Sequence, residues 1–252
     1  MCADLAVVIT GGTRGIGAGL ANAFLQAGSR VLVCGRTAPA HQSEAIFCPA
    51  DVRDPAQARR LIRTAAEQFG RIDVVINNAG GSPEAAASTA SPRFHQKIIE
   101  LNLTAPLHVA QCANQVMQAQ DSGGSIIMIG SVSGTRPSPG TAAYGAAKAG
   151  LHHLVTSLAI EWAPKVRINT VAPGFVDTAA AAAHYGGATS SAAVARTVPL
   201  GRLATPADVA AACLFLASPQ ASYLSGSTLV VHGGGEPPAF LAVRPVGSPD
   251  SM

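Results

Sequence analysis

Seven strand-sized runs in this chain, at residues 5–9, 30–34, 45–48, 72–76, 125–129, 166–171 and 227–231, are apolar almost from end to end. A strand with one wet face alternates polar and apolar residues. Runs that do not alternate are buried on both faces, as in a parallel sheet covered by helices on each side. Stretches of helical periodicity near 15–27, 55–69, 93–119, 143–162 and 206–217 separate these runs. Such alternation predicts an α/β fold: a doubly wound, mostly parallel seven-stranded sheet with helices on both faces. No linker or repeat divides the chain. Residues 1–235 are expected to form one domain, followed by a proline-rich tail at 236–252. The stretch 178–198 breaks the rhythm with small residues, among them Gly186, Gly187, Ser190 and Ser191, and is expected to be mobile.

Composition excludes several function classes. Of 252 residues only 12% are charged and 48% are hydrophobic, with a formal net charge of +3. This is no polyelectrolyte or disordered chain, and it lacks the basic excess of a nucleic-acid binder. No run approaches the ~18 apolar residues of a membrane span, and the N-terminus shows no charged segment leading into a cleavable apolar one. Five cysteines (Cys2, Cys34, Cys48, Cys112 and Cys213) are odd in number and lack CxxC spacing. They are expected to be reduced core thiols in a cytoplasmic protein, with no metal site.

Directly after the first strand comes Thr10-Gly11-Gly12-Thr13-Arg14-Gly15-Ile16-Gly17, then an alanine-rich helix. Glycines there permit a tight turn, and the helix start presents free N–H groups and a positive dipole end, a setting for a pyrophosphate. The spacing is TGxxxGxG. Together with Asn77-Asn78-Ala79-Gly80, Asp51-Val52, Ser131, Tyr144-Gly-Ala-Ala-Lys148, Asn169 and Pro173-Gly174-Phe175-Val176-Asp177-Thr178, the chain resembles the short-chain dehydrogenase/reductase family from about residue 5 to 235. The resemblance implies a Rossmann-type fold and a nicotinamide cofactor. It places that cofactor on Gly11, Thr13, Arg14, Gly15, Ile16, Gly17, Arg36, Asp51, Val52, Asn78, Ala79, Gly80, Tyr144, Lys148, Pro173, Gly174, Val176 and Thr178.

Tyr144 and Lys148 lie four apart and share a helix face. A free tyrosine, with a pKa near ~10, is a poor base at neutral pH. A neighbouring ammonium is expected to lower that value and let Tyr144 exchange a proton with a ketone or alcohol oxygen. By resemblance Lys148 also holds the nicotinamide ribose, Ser131 the substrate oxygen, and Asn102 is the fourth catalytic residue. Pro106 has no N–H to give to the Asn102 carbonyl four residues earlier, so a kink is expected there and that carbonyl is free to hold a proton-relay water.

The other histidines carry less. His152 and His153 point about 100° apart on one helix, poor for shared metal binding. His41 sits in a polar loop, and His184 and Tyr185 fall where the family covers its substrate. Trp162 and Phe215 read as core anchors. Stretch 178–198 has no arginine before Arg196, which favours an uncharged, apolar substrate, with a 3-oxoacyl substrate also open.

The expected activity is NADP(H)-dependent interconversion of a ketone and a secondary alcohol. The rival reading is a catalytically silent dinucleotide-sensing binding protein, which would be expected to have lost Tyr144 or Lys148. A sugar-nucleotide epimerase is disfavoured by the glycine spacing and the lack of a C-terminal substrate domain. NADP is favoured because no Asp or Glu occurs from Leu5 through Ser43 to grip a ribose 2′-hydroxyl. Arg14 and Arg36 stand ready for a 2′-phosphate instead. Relatives with this arrangement are commonly oligomers, so a homotetramer or homodimer is expected, with no nucleic-acid or membrane partner. His232 departs from the aspartate usual before the final glycines.

Overall fold

Within each of the inner strands, neighbouring residues point to opposite faces and both faces are apolar, so two separate cores form. In the computed structural model, which describes residues 2, 4–40, 42–179 and 188–238, Val8, Leu32, Val75 and Ile126 face one core with Leu61, Val109, Met117 and Val155. Their neighbours Val7, Val31, Val74 and Ile127 face the other with Leu20, Phe24, Val209 and Leu216.

The strands are β1 (Ala6–Thr10), β2 (Arg30–Gly35), β3 (Ile46–Pro49), β4 (Val74–Asn77), β5 (Gly124–Ile129), β6 (Val166–Pro173) and β7 (Thr228–Val231). All pair in parallel in the order β3-β2-β1-β4-β5-β6-β7. The helices are α1 (Gly15–Gln26), α2 (Pro55–Phe69), α3 (Pro92–Ile99), α4 (Ala105–Ala119), α5 (Ala142–Trp162), α6 (Ala188–Thr197) and α7 (Pro206–Ala217). Strand order reverses direction between β1 and β4, and the crevice beyond their carboxyl ends is where open α/β sheets bind ligands.

The sequence reading needs three corrections. The expected helix 93–119 is two helices separated by a π turn at Glu100–Thr104, closed by the Ala105 N–H on the Glu100 carbonyl. One residue of slack is absorbed just before Pro106, whose missing N–H breaks the ordinary ladder. The stretch 178–198, expected to be irregular, contains α6, because alanine and serine keep enough helix propensity once glycine ends at 187. Phe215 is 38% exposed, since it points away from the buried stripe Val209, Cys213 and Leu216, whereas Trp162 is buried as expected.

All five cysteines are unpaired, and burial pushes the Cys34 thiol up to about 12, a protonated group at neutral pH. Among the described residues no helix is long and apolar enough to cross a membrane. None of their His, Cys, Asp or Glu side chains cluster as a metal site.

Candidate active site

The glycine loop is held by the Thr10 side chain at the end of β1, by Asn78 just after β4 and by a backbone carbonyl of β2. Thr10 Oγ1 accepts the N–H groups of Asn78 and Ala79, each at 3.0 Å, and the Asn78 amide donates to the carbonyls of Thr10 and Gly11. The Gly12 N–H reaches the Cys34 carbonyl at 3.0 Å, fastening the loop to the end of β2. Gly11 takes φ +63°, the left-handed region where a side chain is strained. A Cβ on Gly17 would lie 2.1 Å from the Gly11 carbonyl oxygen, so only glycine lets α1 begin this close to the loop.

The start of α1, like that of α5, carries no side-chain cap. Helices α2, α3 and α7 are capped by Asp54, Ser91 and Thr205 side chains. Helix α1 begins after Arg14, which makes no side-chain cap, and has no acid in its first turn. Those N–H groups and the dipole end suit a pyrophosphate. Arg14 and Arg36 are both exposed, and the Gly12–Cys34 bond puts their segments side by side. Thr13 lies against Gly35, and Ile16 is half-buried.

At the neighbouring strand end, Val52 is buried. Asp51 is gripped by Arg53, whose guanidinium donates to both carboxylate oxygens. That contact, first among the causes, holds the Asp51 carboxyl below its usual range. The end of β3, the glycine loop and the loop after β4 therefore adjoin one another through β2 and β1.

The four reacting-type residues come from three elements. Ser131 follows β5, its Oγ accepting the Ser133 N–H at 3.1 Å, near enough to the Tyr144 phenol to act on its pKa. Tyr144 and Lys148 lie on α5, the Lys148 Nζ 5.6 Å from the centre of the tyrosine ring. Lys148 is 4% exposed and donates to the Ile129 carbonyl at 2.8 Å. Burial brings its pKa down to about 8.

The phenol does not behave as the sequence reading expected. Burial raises the Tyr144 pKa above its ordinary value, and the Ser131 hydrogen bond only partly opposes this. The physical reason is distance: the ammonium is committed to the Ile129 carbonyl rather than to the phenol oxygen.

Asn102 sits within the π turn, fully buried. Its amide mimics a peptide group. Oδ1 accepts the Gly81 N–H and Nδ2 donates to the Gly81 carbonyl, each at 2.9 Å, with a further bond to the Ile98 carbonyl. A Cβ on Gly80 would lie 2.8 Å from Asn102 Oδ1 and 3.4 Å from Lys148 Nζ. Gly80 is thus the point at which the β4 loop, the π turn and Lys148 meet.

The loop after β6 closes the arrangement. Pro173 ends that strand, and Gly174 touches His232 closely enough that a Cβ would meet it at 2.8 Å. Val176 bridges to Ala204, and the Thr178 methyl lies 3.6 Å from the Cβ position of Gly15. Asn169, quoted in the family motif, works elsewhere: it donates to the Leu224 carbonyl at 2.7 Å and accepts the Ser227 N–H at 3.0 Å, fastening β6 to the approach to β7. His41, His184 and Tyr185 lie outside the described residues.

Three features escaped the sequence reading. Thr10 is the bolt of the glycine loop. His152 accepts the Ser131 N–H at Nε2, 3.4 Å, wedged against Gly130 and Gly134; its place one turn beyond Lys148 was the available signal. Arg136 turns from the Ser131 loop toward Phe175 and Glu236, with no local signal at all. A groove of about 660 Å³ runs between residues 133–139 and Ala142, Gly145, Ala146 and Ala149. These α5 residues lie off the Tyr144–Lys148 face.

The class follows from comparison with known proteins. Residues 11–236 match the family model described as enoyl-(acyl carrier protein) reductase. The chain is 37% identical over 241 residues to an uncharacterized oxidoreductase of Mycobacterium tuberculosis, covering 92% of each. It is 35% identical to the 3-oxoacyl-[acyl-carrier-protein] reductase of Chlamydia muridarum, covering 91% of this chain and 96% of that one. Ligand-free aldohexose dehydrogenase of Thermoplasma acidophilum superposes with a TM-score of 0.87 at 30% identity, over 99% of this chain and 98% of that one. A Serratia marcescens short-chain dehydrogenase/reductase superposes at 0.83 and 27% identity, over 92% of this chain and 98% of that one. The chain belongs to the short-chain dehydrogenase/reductase family. It is an oxidoreductase acting on CH–OH and C=O groups of small molecules, in a family that binds a nicotinamide dinucleotide.

Proposed function

We propose that this protein interconverts a ketone and a secondary alcohol with NADP(H), Tyr144 moving the proton. The single observation that carries the reading is Lys148, buried and 5.6 Å from the centre of the Tyr144 ring, with Ser131 beside the phenol and a glycine loop at the start of α1. A bound nicotinamide would supply or accept the hydride. The residues of the chain do the rest. Ser131 fixes the substrate oxygen and aligns the phenol. Tyr144, its pKa raised by burial, is held as the neutral acid that donates to a carbonyl oxygen. Asn102 and Gly81 fix the loop against which the cofactor lies, and Lys148 positions the ribose.

The coenzyme preference rests on charge. Arg14 and Arg36 are exposed on adjoining segments. The one nearby carboxylate of the binding motif, Asp51, is already neutralised by Arg53. A 2′-phosphate meets two guanidinium groups and no uncompensated repulsion, and one charge-assisted bond is worth roughly tenfold in affinity.

Assembly as a homotetramer or homodimer in the cytoplasm completes the reading. It is supported by the exposed face of α5, where Ala146, Ala149 and Ile160 (82% exposed) face outward. A second groove of about 360 Å³ lies between α2, α4 and α5.

Steady-state kinetics with a panel of ketones and both coenzymes tests the proposal. Turnover should favour NADPH and fall by a factor on the order of 10³ in Tyr144→Phe, the span of a lost general acid. Equal kcat/KM with NADH, or an Arg36→Ala variant with unchanged preference, removes the coenzyme assignment. An active Tyr144→Phe removes the mechanism.

A further inference from the structure

Arg136 lies five residues beyond Ser131 on the same loop, and its guanidinium leaves that loop to cross to two others. It stacks 5.9 Å over the Phe175 ring, in the segment between Gly174 and Thr178 that passes over the glycine loop. One amino group, Nη2, pairs with Glu236 at 2.6 Å, and Nη1 donates to the Pro137 carbonyl at 2.9 Å. Its Nε is buried and, among the described residues, has no partner. Glu84 packs against Gly140 and Asp177 follows Phe175 in the same segment; among the described residues Glu236 is the carboxylate paired with Arg136. The guanidinium therefore ties together the loops after β5, β6 and β7, with one carboxylate on it and N–H donors, Nε among them, left over.

We propose that Arg136 anchors an oxyanion, carboxylate or phosphate, on the substrate. The substrate class is then ketones and alcohols that carry such a group, rather than the wholly uncharged compounds expected from residues 178–198. This rests on the hydride-transfer reading above. A planar guanidinium stacked on a ring is already oriented and loses little freedom on pairing with a carboxylate. Glu236 occupies that position from within the chain and would be exchanged for the substrate anion. Phe175 then forms the apolar wall beside the carbon skeleton.

The test uses a homologous series of oxo acids, the matching oxo amides and phosphate-bearing ketones of the same length. Each is assayed for turnover with both coenzymes and titrated calorimetrically against the coenzyme-loaded enzyme. The wild type should favour acid over amide by about tenfold in kcat/KM, expressed in KM, as one charged hydrogen bond predicts. Arg136→Gln should bring the acid-to-amide ratio near one. Glu236→Gln should raise kcat/KM for the acids about threefold by removing an internal competitor. The relative gain of the carboxylate and phosphate series identifies which oxyanion is read.

An unchanged ratio in Arg136→Gln overturns the assignment. So does a Glu236→Gln variant with lower Tm and unchanged acid kinetics, the behaviour of a mere tether for the chain end. Should Arg136→Gln fail to fold, Glu236→Gln decides. Acid-selective binding without turnover leaves the anchor standing and removes the hydride-transfer reading; turnover without acid preference does the reverse.

Discussion

The two halves of the sheet are built by different means. Around β1, β2 and β4 the surface at the strand ends is mostly backbone: N–H groups of an uncapped helix, glycines at close approach, and the clamp of Thr10 and Asn78. Beyond β5, β6 and β7 the surface is made of side chains brought from distant segments, Ser131, Tyr144, Arg136, Phe175 and Glu236. A backbone site reads a shape common to all dinucleotides, and its sequence demands are local and strict. A side-chain site reads an individual substrate, and one substitution changes what it accepts. The difference teaches that, on the proposed function, specificity can vary in the second half without loss of the cofactor loop.

The largest break in that comparison is expected from Gly17→Ala. Its Cβ would collide with the Gly11 carbonyl at 2.1 Å, backbone against backbone with no flexible end to yield. Coenzyme affinity should fall by on the order of a hundredfold or more, since about 3 kcal/mol of fixed loop geometry is lost. Titration of coenzyme fluorescence measures it, and retained binding would show that the loop is not a rigid template.

The next effect is on pH dependence. Buried Lys148 has a pKa of about 8 against an ordinary 10.5, so between those values the unfolded chain binds the extra proton. Stability contributed by this residue therefore climbs as pH rises through that window, by on the order of 3 kcal/mol in all. Below pH 8 the burial of its charge is a standing cost. Denaturant midpoints of wild type and Lys148→Met from pH 7.5 to 10.5 should differ in slope, with the variant lacking this rise. Parallel curves would mean that the ammonium is solvated in the folded protein.

The smallest and sharpest test pairs two asparagines. Asn169→Ala frees the Leu224 carbonyl and the Ser227 N–H and should cost about 2 kcal/mol of stability. Coenzyme affinity should remain as in the wild type. Asn78→Ala should cost a similar amount and also weaken coenzyme binding, because its bonds end on the glycine loop. Equal binding losses in both variants would erase the distinction between the halves.

Much of the first half was legible in the sequence. Uninterrupted apolar runs dictated a covered parallel sheet, and TGxxxGxG after a strand placed the loop, because both depend on neighbours within a few residues. Pro106 announced a break in the long helix, though not that it would be a π turn with Asn102 paired to Gly81 across 21 residues.

Other features were decided only in three dimensions. Whether Lys148 lowers the Tyr144 pKa depended on where its ammonium found an acceptor, and the Ile129 carbonyl, nineteen residues away, took it. His152 reaches Ser131, and Arg136 reaches Glu236 a hundred residues on. The sequence by itself determined the sheet, the glycine loop and the spacing that puts Tyr144 and Lys148 on one helix, since local periodicity and steric permission are properties of short segments. The tertiary structure alone decided which charges neutralise one another and which donors stay unspent, because burial and long-range pairing exist only once the chain has closed on itself.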